Sequence, residues 1–514
     1  MMRWNDALRD VAVTASGGAG EAQIEAVEYD SRRVRPGAAF VAMRGGSTDG
    51  NRFVDAAVAQ GATAVVTDSG EVFERVRRER PGLAVAQVEH GRRALAVAAR
   101  NFYNRPDERL SLTGITGTNG KTTTSYLIDS VLRAAGHITA VIGTIEYHLA
   151  GRVLPAVNTT PESLELIRLF AELEKLGGSH VTMEVSSHAL EQGRVYGLHY
   201  DVAAFTNLTR DHLDYHRTIE AYSRSKQKLF EPNGAAQPRV AVINRDDPFG
   251  AVLNETARRS GSEIMSYGLG PGPNVNAQDI DYLAARSRFR LHIQGRSAAC
   301  ESRLVGEINV YNLLAASAAT FARGCTLEQI RDAIASFNRV PGRFELVDCG
   351  QPFIVVVDYA HTDDALRNLT RIARQVRDRQ QTRGRIITLF GCGGDRDRSK
   401  RPLMGRAAGE GSDFVVLTSD NPRSEDPQKI IADALPGLSQ TGKVHAVEAD
   451  RRKAIALAIA EARSGDIVLL AGKGHEKYQV TREGTFPFDD VQIAKENLAS
   501  LGYRASVPEG APVA

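Results

Sequence analysis

Cysteine is scarce in this sequence, which has only four in 514 residues. The four lie far apart, form no C-x-x-C pair and have no histidine at a metal-ligand spacing, so neither a disulfide framework nor a zinc site is indicated. We therefore expect reduced thiols that serve in packing. They are Cys300, Cys325, Cys349 and Cys392.

Long hydrophobic runs are also missing. The apolar stretches, such as Ile467 to Ala471, are far shorter than the roughly 18–20 residues that cross a membrane, and Met1 to Asp6 contain no apolar signal core. Neither sign of charge is in excess, because 64 basic residues face 62 acidic ones and the net charge is +2. The bulk charge indicates neither a nucleic acid nor a membrane partner, and we expect a cytoplasmic protein.

Lysine is much rarer than arginine. Only 11 of the 64 basic residues are lysine, and none precedes Lys121. Where arginine is the usual cation, a retained lysine can mark a position that arginine cannot fill, such as a compact phosphate ligand or a modifiable amine. Lys121, Lys226 and Lys473 are of interest for this reason.

The chain has 42% apolar and 25% charged residues, an ordinary globular composition with room for about three domains. After about residue 108, short β-branched runs alternate with amphipathic helical stretches, which predicts α/β domains built on parallel sheets with crossover helices. Turn sequences at 104–107 and 338–343 suggest boundaries near residues 107 and 340. We predict domains at 1–107, 108–339 and 340–514, the first of them small and mixed α/β.

The strands predicted after residue 108 form two groups, one on each side of the second boundary. They are Leu110–Ile115, His180–Val185, Val202–Thr206, Arg239–Ile243, Phe353–Val357, Arg385–Phe390, Phe414–Thr418 and Asp466–Ala471. In the first domain we predict strands at Ala39–Val41 and Ala62–Val66 and a helix at Val54–Gln60. Gly268–Asn276 is predicted to be a loop, and the tail after Ser506 to be frayed.

A glycine-rich loop follows the first strand of the central domain. Glycines at 114, 117 and 120 precede Lys121 and Thr122, which begin an amphipathic helix. Backbone N–H groups free of side chains, a helix N-terminus and a lysine charge together suit a polyphosphate, and Thr122 is placed to bind Mg²⁺. The strict G-x-x-x-x-G-K spacing is not met, since residue 115 is isoleucine. We predict an ATP or GTP site, the alternative being a turn that serves only packing.

Polar residues at the carboxyl ends of other strands are candidates for the same site, because ligands of open α/β sheets bind there. Glu184 ends a strand and could hold a nucleotide's Mg²⁺ or begin the next helix. His212 is a candidate metal ligand or a structural histidine, and Asp211 and Asp214 could cap the helix that follows. Lys226, taken alone, has the pattern of a solvated surface lysine.

Four polar loops, two of them containing glycine, follow strands of the last domain. Any one of them could be turn chemistry, but four at one sheet edge favour a second ligand surface. They span residues 357–361, 391–397, 420–423 and 472–476.

These motifs together resemble the Mur ligases of bacterial cell-wall synthesis, and among them the diaminopimelate-adding branch, over essentially the whole chain. The resemblance implies a UDP-binding N-terminal domain and a central ATPase-type parallel sheet with helices on both faces. It further implies a Rossmann-like C-terminal domain that holds the incoming amino acid, and a monomer acting on small molecules.

The resemblance also assigns roles in the first two domains. Stretches 30–32, 34–37 and 45–50 look like the family's uridine-binding signature. The residues that would contact UDP-MurNAc-dipeptide are Ser31, Gly46, Ser47, Thr48, Asn158, Thr159, Thr160, Ser186 and Arg194. Those that would surround ATP are Gly117, Thr118, Asn119, Gly120, Lys121, Thr122, Thr123, Gly306, Asn309, Asn312, Arg343 and Asp358.

Two Mg²⁺ ions are implied as well, with Thr122, Glu184, His212 and a carbamylated Lys226 (N6-carboxylysine) as protein ligands. Addition of CO₂ to a neutral amine turns a cation into a carboxylate-like ligand, which an arginine could not become. The resemblance therefore makes Lys121, Glu184, His212 and Lys226 the expected catalytic set.

The stretch from Asp420 to Arg423 matches the family's specificity motif. An arginine fork at Arg423 can bind the distal carboxylate of meso-diaminopimelate, with Glu476 facing its distal ammonium. L-Lysine lacks that carboxylate, so the motif favours diaminopimelate. The implied amino-acid-binding residues are Arg396, Asp420, Asn421, Arg423, Gly472 and Glu476. At Asp363 the family often has proline, and we expect this difference to alter only the start of a helix.

The implied reaction is amide formation through an acyl phosphate, with ATP cleaved to ADP and phosphate and with domain closure about hinges near residues 107 and 340. A lysine-adding relative and a folylpolyglutamate synthetase are enzyme alternatives, and the Asp30–Arg32 region argues against the second. A catalytically silent nucleotide-sugar sensor is a third, against which the intact phosphate and metal residues argue.

Overall fold

The computed structural model describes residues 1–46, 48–283, 286–379 and 383–504. Three large sheets divide the chain, with strands drawn from residues 13–88, 111–302 and 345–471. The predicted boundaries near residues 107 and 340 fall between these sheets. The tail predicted after Ser506 lies outside the described residues.

The N-terminal sheet has five strands. Its region contains strands β1 (Met2–Arg3), β2 (Val13–Gly17), β3 (Gln23–Ile24), β4 (Ala26–Glu28), β5 (Ala38–Ala42), β6 (Ala64–Thr67) and β7 (Ala84–Val88), and helices α1 (Trp4–Ala7), α2 (Val54–Ala59), α3 (Gly70–Glu79) and α4 (Gly91–Phe102). The order is β2-β7-β6-β5-β4, parallel except for β2 at one edge. Every residue of β5 is buried, as expected for a parallel strand covered on both faces.

The central sheet has eleven strands and is mixed at its edges. Its strands are β8 (Ser111–Thr116), β9 (Thr139–Ile142), β10 (Glu146–Leu149), β11 (Arg152–Pro155), β12 (His180–Glu184), β13 (Val202–Phe205), β14 (Val240–Asn244), β15 (Glu263–Leu269), β16 (Val275–Tyr282), β17 (Ser287–Ile293) and β18 (Arg296–Ser302). The order is β11-β10-β9-β12-β8-β13-β14-β15-β16-β17-β18. The seven neighbouring strands β9-β12-β8-β13-β14-β15-β16 pair in parallel. At one edge β10 and β11, and at the other β17 and β18, pair antiparallel.

Helices cover both faces of this sheet, as predicted. They are α5 (Lys121–Ala134), α6 (Ser163–Lys175), α7 (Ser187–Gln192), α8 (Leu213–His216), α9 (Ile219–Gln227), α10 (Pro248–Ser260), α11 (Glu307–Phe321) and α12 (Leu327–Ser336). Successive residues of β13 alternate between two cores: Val202 and Ala204 pack with α5, α11 and α12, while Ala203 and Phe205 pack on the opposite face with α6 and α10. This burial on both faces explains the nearly continuous apolar runs of the parallel strands.

The C-terminal sheet has six strands. Its region contains strands β19 (Glu345–Leu346), β20 (Ile354–Asp358), β21 (Ile386–Cys392), β22 (Phe414–Ser419), β23 (Val444–Val447), β24 (Ile467–Ala471), β25 (Tyr478–Thr481) and β26 (Gly484–Pro487), and helices α13 (Asp363–Arg379), α14 (Lys400–Gly411), α15 (Pro427–Ser439), α16 (Arg451–Glu461) and α17 (Asp490–Ser500). The order is β19-β20-β24-β21-β22-β23, with only β19 antiparallel, and β25 and β26 form a separate hairpin.

All eight strands predicted after residue 108 are present, with ends shifted by one or two residues. The loop predicted at Gly268–Asn276 is too long, because β15 runs to Leu269 and β16 begins at Val275; the glycines and prolines fill only the turn between them. All four cysteines are buried free thiols, as expected. Within the described residues, no helix has the length and apolarity needed to cross a membrane.

Candidate active site

The predicted phosphate loop joins β8 to α5 in a conformation that requires glycine. Gly117 and Gly120 both have positive φ, 149° and 89°. A Cβ at Gly117 would overlap the Thr206 hydroxyl, and one at Gly120 would overlap the Asn312 side-chain oxygen. The chain then enters α5 at Lys121, so the loop presents its backbone at a helix N-terminus.

Lys121 lies over this loop. Its Nζ donates to the carbonyl oxygens of Gly117 at 3.0 Å and Thr118 at 2.9 Å. Burial lowers the pKa of Lys121, although the carboxylates of Glu184 and Asp211 favour its charged form. The ammonium is thus held against the backbone carbonyls of the loop.

An open cleft of about 670 Å³ lies between the phosphate loop, α11 and the first loops of the C-terminal domain. Most of the residues predicted to surround ATP line it: Asn119, Gly120, Thr122, Thr123, Asn309, Asn312, Arg343 and Asp358. Gly117, Thr118 and Lys121 complete the loop beside the cleft, and Gly306 immediately precedes α11. Residues far apart in the sequence therefore form one site.

Arg343 connects the C-terminal domain to the loop. Its Nη2 donates to the Thr122 hydroxyl at 3.2 Å, and its guanidinium carbon lies 4.6 Å from the centre of the Tyr359 ring. The nearby Asp358 carboxylate accepts backbone N–H bonds from Phe344 at 2.7 Å and Ala360 at 2.8 Å. Burial raises the pKa of Asp358.

An apolar wall of the cleft was not predicted. It consists of Ile308, Phe344, Ala365, Leu369 and Ile372. The last three are spaced i, i+4 and i+7 on α13, a spacing visible in the sequence but typical of any helix that packs on a core. Only the folded chain distinguishes a stripe that lines a cleft from one that is fully covered.

Glu184 and the residues predicted to bind the dipeptide form a single hydrogen-bonded group. The Glu184 carboxylate accepts from the Thr144 N–H at 2.9 Å and hydroxyl at 3.0 Å, and the Thr144 hydroxyl lies 3.1 Å from that of Thr159. Thr160 Oγ1 donates to the Glu184 carbonyl at 2.8 Å and accepts from the Ser186 N–H at 3.0 Å.

Two further members of the predicted dipeptide set lie next to this group. Arg194 donates to the Thr160 carbonyl oxygen at 2.9 Å, and the carbonyl of Asn158 accepts from the Tyr147 hydroxyl at 2.6 Å. Thr144 was not predicted. It follows the end of β9, and a lone threonine after a strand gives no signal beyond turn chemistry.

Lys226 is buried, so its interpretation as a solvated surface lysine is wrong. Only 1% of it is exposed, its Nζ donates to the Gly117 carbonyl at 2.7 Å, and it lies 4.3 Å from the centre of the Tyr222 ring. Burial, together with the positive charge of Lys121, lowers its pKa well below the usual value. A buried amine of this kind is neutral more often than an ordinary lysine.

His212 lies at the start of α8 with a positive φ of 56°. Its ring packs edge-on against His188, with 4.9 Å between ring centres, and its Nε2 is 3.5 Å from the Asp211 carboxylate. Burial lowers the pKa of His212, which favours the neutral imidazole that binds metals. The His212 side chain makes no capping bond to α8 within the part of the chain that the structure describes, and the Asp211 carboxylate accepts from the His212 N–H at 2.8 Å, just before the helix.

The residues predicted to contact uridine lie in two turns of the N-terminal domain. Ser31 begins a short 3₁₀ turn that Asp30 caps, and the Gly45 N–H donates to the Thr48 carbonyl at 2.9 Å in the other turn. Gly46 and Thr48 are exposed. Ser47, a predicted contact, lies outside the described residues.

The predicted amino-acid-binding residues lie in the loops that follow β21, β22 and β24. Asn421 Nδ2 donates to Glu476 Oε2 at 2.8 Å, and a Cβ at Gly472 would lie 2.5 Å from Asp420 Oδ2. Burial, together with the charge of Asp420, raises the pKa of Glu476. Lys473, one of the few lysines of the sequence, is buried beneath these side chains, and the sequence predicts no specific role for it.

The two predicted arginines of this site differ in exposure. Arg423 is half-buried, adopts a positive φ of 54° and donates to the Gly394 carbonyl at 2.8 Å. Arg396 is exposed and donates to the Asp395 carbonyl at 3.0 Å. Burial and the charge of Arg396 lower the pKa of Arg423.

Direct contacts close the C-terminal domain onto the central one. Asp364 accepts from Asn119 Nδ2 at 2.8 Å and from the Thr209 hydroxyl at 3.3 Å. Arg210 donates to the Ser399 hydroxyl at 2.7 Å. Asp363, which replaces the expected proline, begins α13, where it pairs with Arg367 and accepts a hydrogen bond from it at 2.7 Å.

Comparisons with known proteins identify the family of the chain. The family models described as "Mur ligase family, catalytic domain", "Mur ligase middle domain" and "Mur ligase, glutamate ligase domain" match residues 23–103, 115–320 and 342–474. The chain belongs to the Mur ligase family. A curated Mur ligase of Solibacter usitatus, named UDP-N-acetylmuramoyl-L-alanyl-D-glutamate--2,6-diaminopimelate ligase, is 57% identical over 94% of this chain and 95% of its own.

Solved structures extend the comparison to the fold. A structure with that same name is 34% identical and has a TM-score of 0.67, covering 96% of this Mur ligase and 98% of its own chain. A Mycobacterium tuberculosis folylpolyglutamate synthase complexed with ADP shares the fold at 18% identity, with a TM-score of 0.62 over 74% of this chain and 92% of its own.

Proposed function

We propose that this protein is an ATP-dependent ligase that joins meso-2,6-diaminopimelate to the D-glutamyl γ-carboxylate of UDP-MurNAc-L-Ala-D-Glu, in peptidoglycan precursor synthesis. The name of the 57% identical relative describes such a ligase. Membership of the Mur ligase family supports ATP as the energy source. The observation that carries the proposal is the cleft in which the phosphate loop faces the C-terminal domain.

ATP fits this cleft by its chemistry. The apolar wall formed by Ile308, Phe344 and the α13 stripe that lines the cleft suits the flat faces of an adenine, while Lys121 and the loop N–H groups suit the triphosphate. We assign Arg343, through its contact with Thr122, to the phosphate end.

Two Mg²⁺ ions complete the proposal. Thr122 and Glu184 offer hard oxygen ligands and His212 a neutral nitrogen, a donor set that fits ions held partly by phosphate oxygens and water. Within the described ranges no cluster of three or more His, Cys, Asp or Glu side chains could hold a metal alone, which agrees with such shared coordination. When bound, Mg²⁺ supplies positive charge that offsets the phosphate charge.

Lys226 joins this set as a carbamate. The neutral amine adds to CO₂, a C–N bond forms, and a proton is released, so a cation becomes a carboxylate-like oxygen ligand. The lowered pKa of Lys226 supports this step, because only the unprotonated amine reacts. Its place beside Gly117 supports an action close to the phosphates.

The reaction begins with the approach of two anions. The substrate γ-carboxylate attacks the γ-phosphorus of ATP, the bond to the β,γ-bridging oxygen breaks, and ADP leaves an acyl phosphate behind. Lys121 and the loop N–H groups offset the charge on the phosphoryl oxygens. We propose that Asn158, Thr159, Thr160, Ser186 and Arg194 hold the dipeptide. Thr160 bonds to the Glu184 carbonyl, Ser186 and Arg194 bond to Thr160, and Thr159 contacts Thr144, which bonds to the Glu184 carboxylate.

Diaminopimelate then enters from the C-terminal domain. Its amine attacks the acyl carbon and forms the C–N bond. The bond between that carbon and the phosphate oxygen breaks, phosphate leaves with the bonding electrons, and the nitrogen loses a proton. We propose that Arg423 and Arg396 bind the distal carboxylate and that Glu476, with Asp420, Asn421 and Gly472, receives the distal ammonium. L-Lysine would leave Arg423 without an anionic partner.

The remaining assignments complete the proposal. Ser31, Gly46, Ser47 and Thr48 contact the uridine end, in a domain at 1–107. The domains at 108–339 and 340–514 bind ATP and the amino acid. The protein acts as a monomer in the cytoplasm, on small-molecule substrates.

The test is phosphate release from ATP with Mg²⁺ and UDP-MurNAc-L-Ala-D-Glu, with meso-diaminopimelate or L-lysine as the amine. We expect turnover with diaminopimelate alone, lost in Arg423→Ala and kept in the control Arg482→Ala, an exposed arginine between β25 and β26. Preference for L-lysine would refute the assignment of Arg423. Absence of turnover with either amine would instead favour the sensor.

A further inference from the structure

Lys473 lies directly beneath the proposed amino-acid pocket without reaching its surface. It follows β24 and Gly472, and its side chain has no exposed area. Its Nζ donates to Asn421 Oδ1 at 2.9 Å and to the Tyr478 carbonyl oxygen at 2.7 Å. The same ammonium is 3.8 Å from Asp420 Oδ1 and 3.8 Å from Glu476 Oε2.

These contacts fix the direction of the Asn421 amide. Its Oδ1 accepts from both Lys473 Nζ and the Val480 N–H, the latter at 2.9 Å, so the amide nitrogen must point the other way. There it donates to Glu476 Oε2 at 2.8 Å. Without the lysine, one of the two donors that orient this amide is lost, and Glu476 loses both a neighbouring cation and a firmly held partner.

The ammonium also ties the β25 strand to the specificity loop. Lys473 holds the Tyr478 carbonyl at the start of β25, and two residues later the Val480 carbonyl accepts from the Arg423 N–H at 3.0 Å. The positive φ of Arg423 therefore rests on a strand that the lysine anchors. One buried amine contacts or supports both charged ends of the pocket.

Charge gives the same result as geometry. Glu476 lies near Asp420, and both that carboxylate and burial favour its protonated form, whereas Lys473 favours its ionised form. Burial lowers the pKa of Lys473, but Asp420 and Glu476 favour its charged state. The lysine thus helps Glu476 to remain an anion.

We propose that Lys473 is a positioning residue for amino-acid selection, which orients Asn421 and Glu476 and anchors the strand behind Arg423 without touching the amino acid. The proposal rests on the function proposed above, which locates the diaminopimelate pocket here. Replacement of a residue that served only to fill the core would instead lower the free energy of unfolding. It would leave the KM for diaminopimelate unchanged relative to the KM values for ATP and UDP-dipeptide.

The experiment is steady-state kinetics of Lys473→Met, with Lys495→Met, an exposed lysine of α17, as the matched control. We expect the KM for diaminopimelate to rise at least tenfold while the KM values for ATP and UDP-dipeptide stay within twofold. The ratio of kcat/KM for diaminopimelate over L-lysine should also fall about tenfold. Lys495→Met should match the wild type.

Loss of a buried cation beside a carboxylate can prevent folding. Lys473→Arg is therefore the second variant: it keeps the charge but not the geometry, and a raised KM for diaminopimelate alone would again support the proposal. Equal rises for all three substrates, unchanged constants, or loss of folded protein in both variants would overturn it. Wild-type protein that fails to use diaminopimelate would refute the proposed function instead, so the two failures are distinguishable.

Discussion

Comparison of Gly120→Ala with Gly136→Ala separates two requirements at the phosphate loop. One is a left-handed backbone conformation, and the other is space for a side chain that lines the cleft. The two glycines flank α5 and have nearly the same positive φ, 89° and 91°. A Cβ at Gly136 meets none of the described residues within 4 Å, whereas one at Gly120 overlaps the side-chain oxygen of Asn312. The pair therefore shares the conformational cost and differs in the steric one.

The magnitudes follow from these contacts. A left-handed alanine costs about 1–2 kcal/mol, which both variants should lose in the free energy of unfolding. In Gly120→Ala, Asn312 must also move away, although it donates to Asn309 at 3.2 Å and accepts from Thr124 at 3.5 Å. Breaking these bonds costs roughly 1–2 kcal/mol more, and because Asn309 lines the cleft, part of this loss should weaken ATP binding.

We expect urea denaturation to show both variants destabilised, Gly120→Ala by the larger amount. ATP titration should show a rise in Kd of about tenfold for Gly120→Ala, since roughly 1.4 kcal/mol corresponds to that factor, and no change for Gly136→Ala. An unchanged Kd in a folded Gly120→Ala protein would refute the placement of ATP against α11.

Two further predictions concern protonation. Activity should fall when CO₂ and bicarbonate are removed and recover when bicarbonate is returned, because the buried Lys226 amine has a lowered pKa and is available for carbamylation. Lys226→Arg should stay inactive at any bicarbonate concentration. Wild-type activity that does not change on CO₂ removal would contradict the carbamate. His180, with its pKa lowered to about 4 mainly by burial and also by His137, should make the protein less stable as pH falls from about 6.5 to 4, since the unfolded chain then binds the proton more readily. Thermal unfolding of His180→Gln should show a flatter decline over that range, and an identical pH profile would count against a buried neutral imidazole.

The parts of the site that the sequence predicts are those built from local signals. The phosphate loop depends on two glycines and a helix start within a few residues, so its conformation can be predicted before the fold is known. The loops after β20, β21, β22 and β24 were predicted to share an edge because parallel strands direct their carboxyl ends the same way. The roles of Lys226 and Arg423 came from family resemblance instead.

What the sequence could not predict depends on contacts between distant segments. The edge hairpins of the central sheet were missed because β10 and β11 have only four residues each and because β17 and β18 interleave exposed polar residues with apolar ones. Thr144 reaches Glu184 only because β9 and β12 are neighbours in the sheet. The apolar wall of α13 has the period of an ordinary core helix, and only the facing phosphate loop makes it one side of a cleft.

The arrangement of these surfaces also explains how closure and chemistry are linked. The proposed acyl-phosphate site lies at the ends of the central strands and the proposed amine site at the ends of the C-terminal strands, so the two reactants meet only when the domains are together. Asp364 bonds to Asn119 of the phosphate loop, and Arg343 bonds to Thr122. A nucleotide that contacts both sides of the cleft binds the closed arrangement more tightly than an open one and shifts the population towards it. ATP binding would in this way bring the amine site to the acyl phosphate and shield that intermediate from water.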